Sequence, residues 1–476
     1  MSARIAPKRP ETILARLDRI SVWSLPYLFI GVIGVGFLFT FYDIFNINVS
    51  FIETCGAIVP HCTPVSATNY LGLPVLLNLV GYVVGSLSLS PLADRFGRRD
   101  MLLVTMLITG LGSLWTATTH SYAMFTLARA VTGIGIGADL AIVNTYINEV
   151  APREGRARYT ALIFIMSALG AFLGIWLGLL LTTPPTPFPL GLPFAVAGPH
   201  FADGWRDMYY LGAILALVGV VFRVQMPESP RWLISRGRID EADAIVRTME
   251  ERAERHGPLG PIGPEPTLVK NEAPIPYKAI FADPLYRNRT FFLLAMWLLG
   301  YVTVYGYGNG FTTFLVSMHY APPEAGLIAA FGTIGFILSA VMAFLWGEKM
   351  ERKYWLIASV AVLLVGSVLI AEAGNHLGLS VVGAMLIFFG FNLWVPIAYA
   401  WSTEHYPTRA RATGFALVDG IGHIGGGLGV MFLLPVVTQL PVLPAFLIIS
   451  GFLLAGAIIA QFGLHTRGAS LDHISP

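Results

Sequence analysis

Glu149-Val150-Ala151-Pro152-Arg153-Glu154-Gly155-Arg156 returns in outline 255 residues further along the chain, where Glu404, Pro407 and Arg411 repeat its first, fourth and last residues. Each copy follows one long apolar stretch and precedes another. Three fixed positions in the same context predict two related halves. In a membrane protein, two similar hydrophobic halves are typical of a transporter whose substrate site lies between them.

The composition is that of a membrane protein, with 55% hydrophobic and 12% charged residues. A helix of about 20 apolar residues crosses a hydrocarbon layer of roughly 30 Å, and twelve such stretches are present. Numbered here as spans 1 to 12, they are predicted at 23–45, 68–92, 101–119, 123–149, 159–182, 206–226, 290–318, 324–347, 354–373, 379–402, 412–437 and 441–463. The predicted fold class is therefore an all-α membrane protein with two pseudo-symmetric six-helix bundles.

Basic residues lie almost wholly on one side of this arrangement. They fill the N-terminal tail and the even-numbered loops, whereas Arg206 is the only basic residue of the odd-numbered loops. Because positive loops stay in the cytoplasm, both termini are predicted to be cytoplasmic in an integral plasma-membrane protein that contacts the lipid bilayer.

The composition also predicts a division of the chain. It places a cytoplasmic tail at 1–22, a first bundle at 23–226, a cytoplasmic linker with short helices at 227–289, a second bundle at 290–463 and a second tail at 464–476. The linker has no His/Cys cluster, nucleotide-binding loop or nucleophile elbow, so an enzyme is not expected. No cofactor, metal or nucleic-acid partner is predicted.

The chain has two cysteines, Cys55 and Cys62, and both fall in the predicted first outward loop. An oxidising outer face favours a local disulfide between them. Two unpaired thiols are the alternative.

Three motifs resemble those of the major facilitator superfamily, and the resemblance covers nearly the whole chain. Pro91-Leu92-Ala93-Asp94-Arg95-Phe96-Gly97-Arg98-Arg99 resembles the signature loop between spans 2 and 3, with Ser90 in place of its usual leading glycine. Pro227-Glu228-Ser229-Pro230-Arg231-Trp232-Leu233 is similar to the motif after span 6 of sugar porters, and 129–137 resembles their span-4 pattern. The resemblance implies twelve helices and transport by alternating access.

The charged cytoplasmic loops are predicted to form a gate. The segment 347–353 is the second-half counterpart of the signature loop, and its charges can pair with the repeated segment around Glu404. Networks of this kind would hold an outward-open state; the alternative is that they only enforce topology. The predicted gate residues are Asp94, Arg95, Arg98, Glu149, Arg156, Glu228, Arg231, Glu351, Arg352, Glu404 and Arg411.

Ionisable residues inside the spans are candidates for function because they are costly to bury in a membrane. Asp43 in span 1 and Arg129 in span 4 are predicted at similar depth and can pair. The resemblance to proton-coupled sugar porters implies proton coupling by these two residues, with a static ion pair as the alternative. Asp139 stands where similar phosphate–proton symporters have an aspartate, and it is the third predicted coupling residue; helix capping is the alternative.

The second half supplies most of the predicted substrate-binding residues. Asp419 and His423 are four residues apart in span 11 and share one helix face, although a lone histidine on an apolar face is more often structural. Three glycines in span 7, Gly306, Gly308 and Gly310, predict that this helix unwinds next to Tyr305. The predicted substrate contacts are His423, Asp419, Tyr305, Asn309, Asn392, Trp394 and Asn144.

These residues predict a proton-coupled symporter of a small polar or anionic metabolite, acting as a monomer. A sugar–proton symporter is one alternative, although the three glutamines, Gln225, Gln439 and Gln461, lie at span ends or in span 12. A transport-inactive sensor with the same fold is another. The functional charges do not repeat between halves, since the counterparts of Arg129 and Asp139 at a spacing of 255 are Ala384 and Trp394.

Overall fold

The computed structural model describes residues 9–20, 24–25, 27–150, 156–193, 196–262, 277–374, 376–406 and 411–467. In this part of the chain, eleven helices are long and apolar enough to cross a membrane, and a bent helix pair forms one further span. The all-α fold with twelve spans is therefore confirmed.

Six spans form the first bundle and six form the second. The first six are Tyr27–Phe45 with Ile47–Ile58, Thr68–Ser88, Arg98–Ala117, Tyr122–Val150, Arg156–Thr182 and Gly204–Arg223. The second six are Pro284–Ser317, Pro322–Trp346, Arg352–Ala373, Leu377–Leu393 with Val395–Glu404, the segmented helix from Arg411–Phe415 to Leu434–Val437, and Val442–Gln461.

Glycines spaced by four residues set the close packing of spans 2 and 4. Side chains added at Gly81 and Gly85 of span 2 would overlap backbone carbonyls of span 4, and those at Gly133 and Gly137 would overlap carbonyls of span 2. Helices without side chains at such positions can bring their backbones together in a bilayer. This contact holds span 4, which carries two of the predicted coupling residues, firmly inside the first bundle.

The helix breaks do not occur at the glycines of span 7, where one was expected. Span 7 is one continuous helix, Pro284–Ser317, so the predicted unwinding at its glycines is wrong. These glycines instead make room for side chains of other helices, with Phe45 against Gly308 and Leu434 against Gly310. Span 1 is the one that bends, by 45° at Asn46.

Two further spans are irregular. Span 10 is interrupted at Trp394, next to Pro396, whose missing N–H cannot continue the helical ladder. Span 11 contains two π-helical turns, Ala416–Gly420 and Gly429–Leu433. Such turns are frequent at functional sites, and the first contains Asp419.

The outer end of span 1 carries a disulfide between Cys55 and Cys62. Cys55 lies in the helix Ile47–Ile58 rather than in a loop, because span 1 continues beyond the predicted end at residue 45. The bridge therefore ties the first outward loop to the end of this helix.

Short helices outside the membrane spans pack at one end of the first bundle. The helix Pro10–Asp18 lies on the linker helix Ile239–Glu254, where Arg16 contacts Asp243 at 2.7 Å and Glu250 at 2.5 Å. The hydrogen bond with Glu250 raises the pKa of Arg16, against the effect of burial. The part of the tail that the structure describes is therefore docked on the linker.

Candidate transport site

The half of the first bundle toward the Cys55–Cys62 disulfide contains a buried ion pair. Arg129 Nη1 lies 2.7 Å from Asp43 Oδ2, and both side chains are at most 2% exposed. The guanidinium also donates to the backbone oxygen of Asp43 at 2.9 Å, while Ser113 Oγ donates to Asp43 Oδ1 at 3.1 Å. The pairing expected from their depth is present, and span 3 adds a hydroxyl to it.

A second buried ion pair lies nearer the opposite end of the first bundle. Asp139 of span 4 pairs with Arg223 of span 6, whose Nη2 is 2.9 Å from Asp139 Oδ2. Thr105 Oγ1 donates to Asp139 Oδ1 at 2.8 Å, and Arg223 Nη1 donates to the backbone oxygen of Leu102 at 3.0 Å. Sequence reasoning missed Arg223, although its position inside the apolar stretch 206–226 was a usable signal.

The second half presents a third buried carboxylate, and it has no arginine against it in the described part of the chain. Asp419 accepts hydrogen bonds from the hydroxyls of Tyr301, at 2.6 Å, and Tyr82, at 3.0 Å. Tyr82 belongs to span 2, so this carboxylate is shared by helices of both halves. Its main-chain oxygen lies 2.7 Å from His423 Nδ1.

Aromatic rings enclose His423. The ring of Tyr82 stacks on it at a centroid distance of 4.0 Å, and the ring of Tyr301 lies at 4.1 Å. Tyr305 approaches its edge at 5.7 Å. We call Tyr82, Tyr301, Tyr305, Asp419 and His423 the aromatic cluster. It lies at the interface of the two bundles, where alternating access places a substrate.

The other predicted substrate contacts lie around or away from this cluster. Trp394 reaches it through Trp297, with ring centroids 4.9 Å apart, and Trp297 in turn lies 4.9 Å from Tyr301. Asn309 is buried four residues beyond Tyr305. Asn392 instead donates to Ser339 Oγ at 2.9 Å, which gives it a helix-packing contact.

Asn144 of span 4 is half-buried and makes an interaction of its own. The cluster was incompletely predicted because Tyr82 was not among the expected contacts, and only the packing of spans 2, 7 and 11 brings it to Tyr301.

Toward the end of span 1 that carries the disulfide, the two halves are joined around Asn48, which was not among the predicted site residues. Its amide donates to the backbone oxygens of Gly308, at 2.6 Å, and Tyr307, at 3.3 Å. Its own oxygen accepts a hydrogen bond of 2.6 Å from Thr312. Span 1 is therefore joined to span 7 by a fully buried amide.

The predicted gate residues of the first half form a network around Arg98. Its Nη2 contacts Asp94 at 2.7 Å and Glu149 at 2.9 Å, and its Nη1 donates to the backbone oxygen of Ala93 at 2.8 Å. Glu228 accepts from the main-chain N–H of Arg98 at 3.1 Å. Burial raises the pKa of Glu228, although the N–H donors around it act in the opposite direction.

The second half repeats this geometry around Arg352. Its Nη2 contacts Glu348 at 2.7 Å and Glu404 at 3.5 Å, and its Nη1 donates to the backbone oxygen of Gly347 at 3.1 Å. Glu351 accepts from the main-chain N–H groups of Arg352 and Thr466, both at 3.1 Å. The two networks are therefore related by the same internal symmetry as the sequence.

The remaining gate candidates differ in their surroundings. Arg231 pairs with Asp18 at 2.5 Å, whereas Arg95 lies over the ring of Phe96 at 5.3 Å. The side chains of Arg156 and Arg411 lie outside the described residues. Both networks are present together with the Asn48 contact that joins the two halves, so an intact network by itself does not identify an outward-open state.

A family model described as "Sugar (and other) transporter" matches residues 27–476. The chain belongs to this family. It is a transmembrane transporter of the major facilitator superfamily and not an enzyme.

Two curated relatives cover nearly the whole chain. The putative metabolite transport protein YyaJ of Bacillus subtilis (strain 168) is 28% identical over 94% of this chain and 94% of its own length. The niacin transporter NiaP of Acinetobacter baylyi is 26% identical over 97% of this chain and 99% of its own length.

Among solved structures, the proton:xylose symporter XylE bound to 6-bromo-6-deoxy-D-glucose has the same fold. It superposes with a TM-score of 0.70 over 94% of this chain and 98% of that chain, at 19% identity. This likeness establishes the fold and leaves the substrate and the coupling ion to the geometry of the site.

Proposed function

We propose that this transporter is a proton-coupled symporter of a small polar or anionic metabolite. The observation that carries the proposal is the division of buried charge: the first half holds Asp43 paired with Arg129, and the interface between the halves holds Asp419 with His423 in an aromatic cluster. One site suits a proton and the other an organic solute.

The Asp43–Arg129 pair supports proton coupling. When a proton neutralises the carboxylate, the guanidinium loses its opposite charge and the attraction that holds spans 1 and 4 together weakens. A proton therefore changes the relative stability of two arrangements of these helices, which is the requirement for coupling to a conformational change. Asp139 is proposed as a further coupling residue for the same reason.

The aromatic cluster supports a flat or anionic solute. Ring faces of Tyr82 and Tyr301 offer stacking surfaces, and a protonated His423 would bind an anionic group. Niacin, named in one relative, is an aromatic carboxylate and fits this chemistry. Tyr305, Asn309 and Trp394 would complete the walls, with Asn144 and Asn392 at the periphery.

A sugar–proton symporter is the second candidate, and the family match favours it. The glutamines do not support it, because Gln461 donates to Lys353 O at 3.2 Å and Gln439 to Pro435 O at 3.4 Å, both outside the cluster. Gln225 follows the end of span 6. A sugar would have to be bound by the tyrosines and asparagines of the second half.

The remaining proposals concern the setting of the protein. We propose the plasma membrane with both termini cytoplasmic, a functional monomer, and the division of the chain at residues 22, 226, 289 and 463. The Arg98 and Arg352 networks are proposed as a cytoplasmic gate, because opening that side must separate elements that these ion pairs hold together.

The proposal is tested with purified protein in two steps. A thermal-shift screen with nicotinate, benzoate, glucose, xylose and inorganic phosphate finds a ligand, and uptake of that ligand is then measured in proteoliposomes with an acidic outside. We expect an organic acid to stabilise the protein and to accumulate. A shift with sugars alone would select the sugar symporter, and binding without any uptake would select the inactive sensor.

Asp43→Asn is the decisive variant for coupling. We expect it to retain exchange of external for internal ligand while losing accumulation driven by the pH gradient. Accumulation equal to that of the unaltered protein would contradict proton coupling through Asp43.

A further inference from the structure

A cavity of about 390 Å³ lies at the end of the first bundle opposite the Cys55–Cys62 disulfide. It is lined by Leu25, two residues before the helix of span 1, and by Arg99, the second residue of span 3. Val224, which follows span 6, also lines it. Because three spans begin or end at this level, the cavity lies where the hydrocarbon layer of a membrane gives way to the lipid headgroups.

The linker helix Ile239–Glu254 forms another wall of the cavity. Its residues Ile245, Thr248 and Arg252 line the cavity. Their spacings of three and four residues place them on one face of the helix. The cavity therefore lies between the membrane spans and a helix outside the membrane.

The charge of the cavity is positive and is not balanced within it. The described residues that line it include Arg99 and Arg252 and no aspartate or glutamate. The carboxylates of Asp243 and Glu250, also on the linker helix, are engaged by arginines of the tail and by Arg247. Two like charges that share a cavity repel each other, and a bound anion removes that repulsion.

The guanidinium of Arg99 has a donor to spare. Its Nη2 donates to the backbone oxygen of Val224 at 2.5 Å, whereas its Nε is buried and has no hydrogen-bond partner among the described residues. A buried donor without a partner is unfavourable, and a ligand oxygen would supply the missing acceptor. Guanidinium groups bind phosphate through several N–H groups at once. The side chains therefore favour a phosphate as the ligand.

An apolar stripe on span 6 leads away from the cavity. Ile214, Leu217, Val221 and Val224 recur every three or four residues and are between 49% and 60% exposed. Ile214 and Val224 are ten residues apart, or about 15 Å along the helix, which is half of a hydrocarbon layer of roughly 30 Å. A lipid chain that extends from a headgroup in the cavity would cover this stripe to the middle of the membrane.

We propose that the cavity binds the phosphate of an anionic phospholipid. Arg99 and Arg252 hold the phosphate, and the stripe from Ile214 to Val224 contacts an acyl chain. Because Arg99 belongs to span 3 and Arg252 to the linker helix, the bound phosphate fastens the linker to the first bundle. This site depends neither on the transported solute nor on proton coupling.

Native mass spectrometry of the full-length protein in detergent tests the site directly. Phosphatidylglycerol and phosphatidylcholine with the same acyl chains are added in turn, and bound lipid is counted over a range of lipid concentrations. We expect one molecule of phosphatidylglycerol to be retained per protein, with an affinity about fivefold higher than that of phosphatidylcholine. Equal retention of the two lipids would overturn the proposal of an anionic headgroup.

Arg252→Gln and Arg255→Gln form a matched pair of variants. Each removes one positive charge near the end of the linker helix, and only Arg252 lines the cavity. Neither side chain makes an ion pair with a described residue, so both variants should fold. We expect Arg252→Gln to weaken phosphatidylglycerol binding about fivefold, which is roughly 1 kcal/mol for one arginine near the membrane surface. Arg255→Gln should leave the affinity unchanged.

The double variant Arg99→Gln/Arg252→Gln should weaken binding about 25-fold if the two arginines act independently. An equal loss in Arg252→Gln and Arg255→Gln would show that the lipid responds to diffuse surface charge, and it would overturn the site.

Inorganic phosphate decides between a lipid and a free anion as the ligand. It is added at millimolar concentration to the protein that has bound phosphatidylglycerol, and lipid retention is measured again. We expect no displacement, because free phosphate has no chain to contact the stripe on span 6. Displacement would overturn the lipid assignment in favour of a soluble phosphate. Transport is not measured in these experiments, so failure of this site and failure of the proposed symport are independent results.

Discussion

The buried acids of the two halves are neutralised in different ways. Asp43 and Asp139 each face an arginine of the same bundle, so each pair is balanced within the first half. Asp419 faces tyrosine hydroxyls and His423, and one of those tyrosines, Tyr82, belongs to the other bundle. An ion pair inside one bundle suits a small ion that enters and leaves that bundle. The hydrogen bonds of a carboxylate shared by both bundles instead depend on the relative position of the bundles.

The largest expected effect comes from breaking an internal pair. Arg129→Ala leaves Asp43 as an unpaired buried charge, and we expect a loss of about 3–5 kcal/mol of stability, since that is the usual cost of such a site. Thermal unfolding of the purified protein measures it. Asp43→Asn/Arg129→Gln is the control and should lose much less; equal losses would show that packing, not charge, dominates at this position.

Asp419→Asn should separate binding from coupling. It replaces two hydrogen bonds to a charged acceptor by weaker ones, and we expect ligand affinity to fall about tenfold to a hundredfold, the equivalent of roughly 1.5–3 kcal/mol. The residual accumulation should still depend on the pH gradient. Loss of the gradient dependence with unchanged affinity would reverse the roles assigned to the two halves.

The comparison of the two halves extends to His405, whose counterpart at the 255-residue spacing is Val150. Burial lowers the pKa of His405 from 6.5 to about 4. His405 is then protonated below about pH 6.5 in the unfolded chain but only below about pH 4 in the folded protein. The free energy of unfolding therefore falls as the pH decreases from 6.5 to about 4.

We expect His405 to account for about 2 kcal/mol of lost stability at pH 5. The pH dependence of thermal unfolding in His405→Gln should therefore be flatter than in the unaltered protein. His376→Gln, at an exposed position, is the matched control. A profile that changes as much in the control would show that the effect does not come from burial at His405.

The smallest expected effect is at the contact between the halves. Tyr82→Phe removes the hydroxyl that donates to Asp419 at 3.0 Å while keeping the ring on His423. We expect a loss of roughly 1 kcal/mol in the thermal unfolding experiment, typical of one hydrogen bond. Tyr307→Phe, which removes a hydroxyl bonded within the second half, should cost about as much in stability but should not change ligand affinity.

Parts of the site could be predicted from single residues, and parts could not. Asp43, Arg129, Asp139 and Asp419 stand out because a charge in an apolar stretch is rare and costly. Arg223 carried the same signal, although it was not among the predicted site residues. Tyr82, Tyr301 and Asn48 carry no such signal, since tyrosine and asparagine are ordinary in helices and acquire a role only through what they contact.

The glycines of span 7 show why local patterns mislead about helix breaks. Gly306, Gly308 and Gly310 weaken a helix in isolation, and unwinding was expected. Phe45 and Leu434 fill the space beside two of them, so packing against spans 1 and 11 keeps the helix continuous. The break occurs instead in span 1 at Asn46, which no local sequence pattern indicated.

The amino-acid sequence by itself determined the membrane class, the number of spans, the two related halves and the family, because these depend on hydropathy, charge and short motifs that act locally. Only the tertiary structure decided that Arg223 pairs with Asp139, which rings enclose His423 and that Asn48 joins the two halves. Those contacts join residues far apart in the chain, and their partners are selected by helix packing rather than by neighbouring sequence. The division of buried charge between the two halves is therefore a property of the packed bundle.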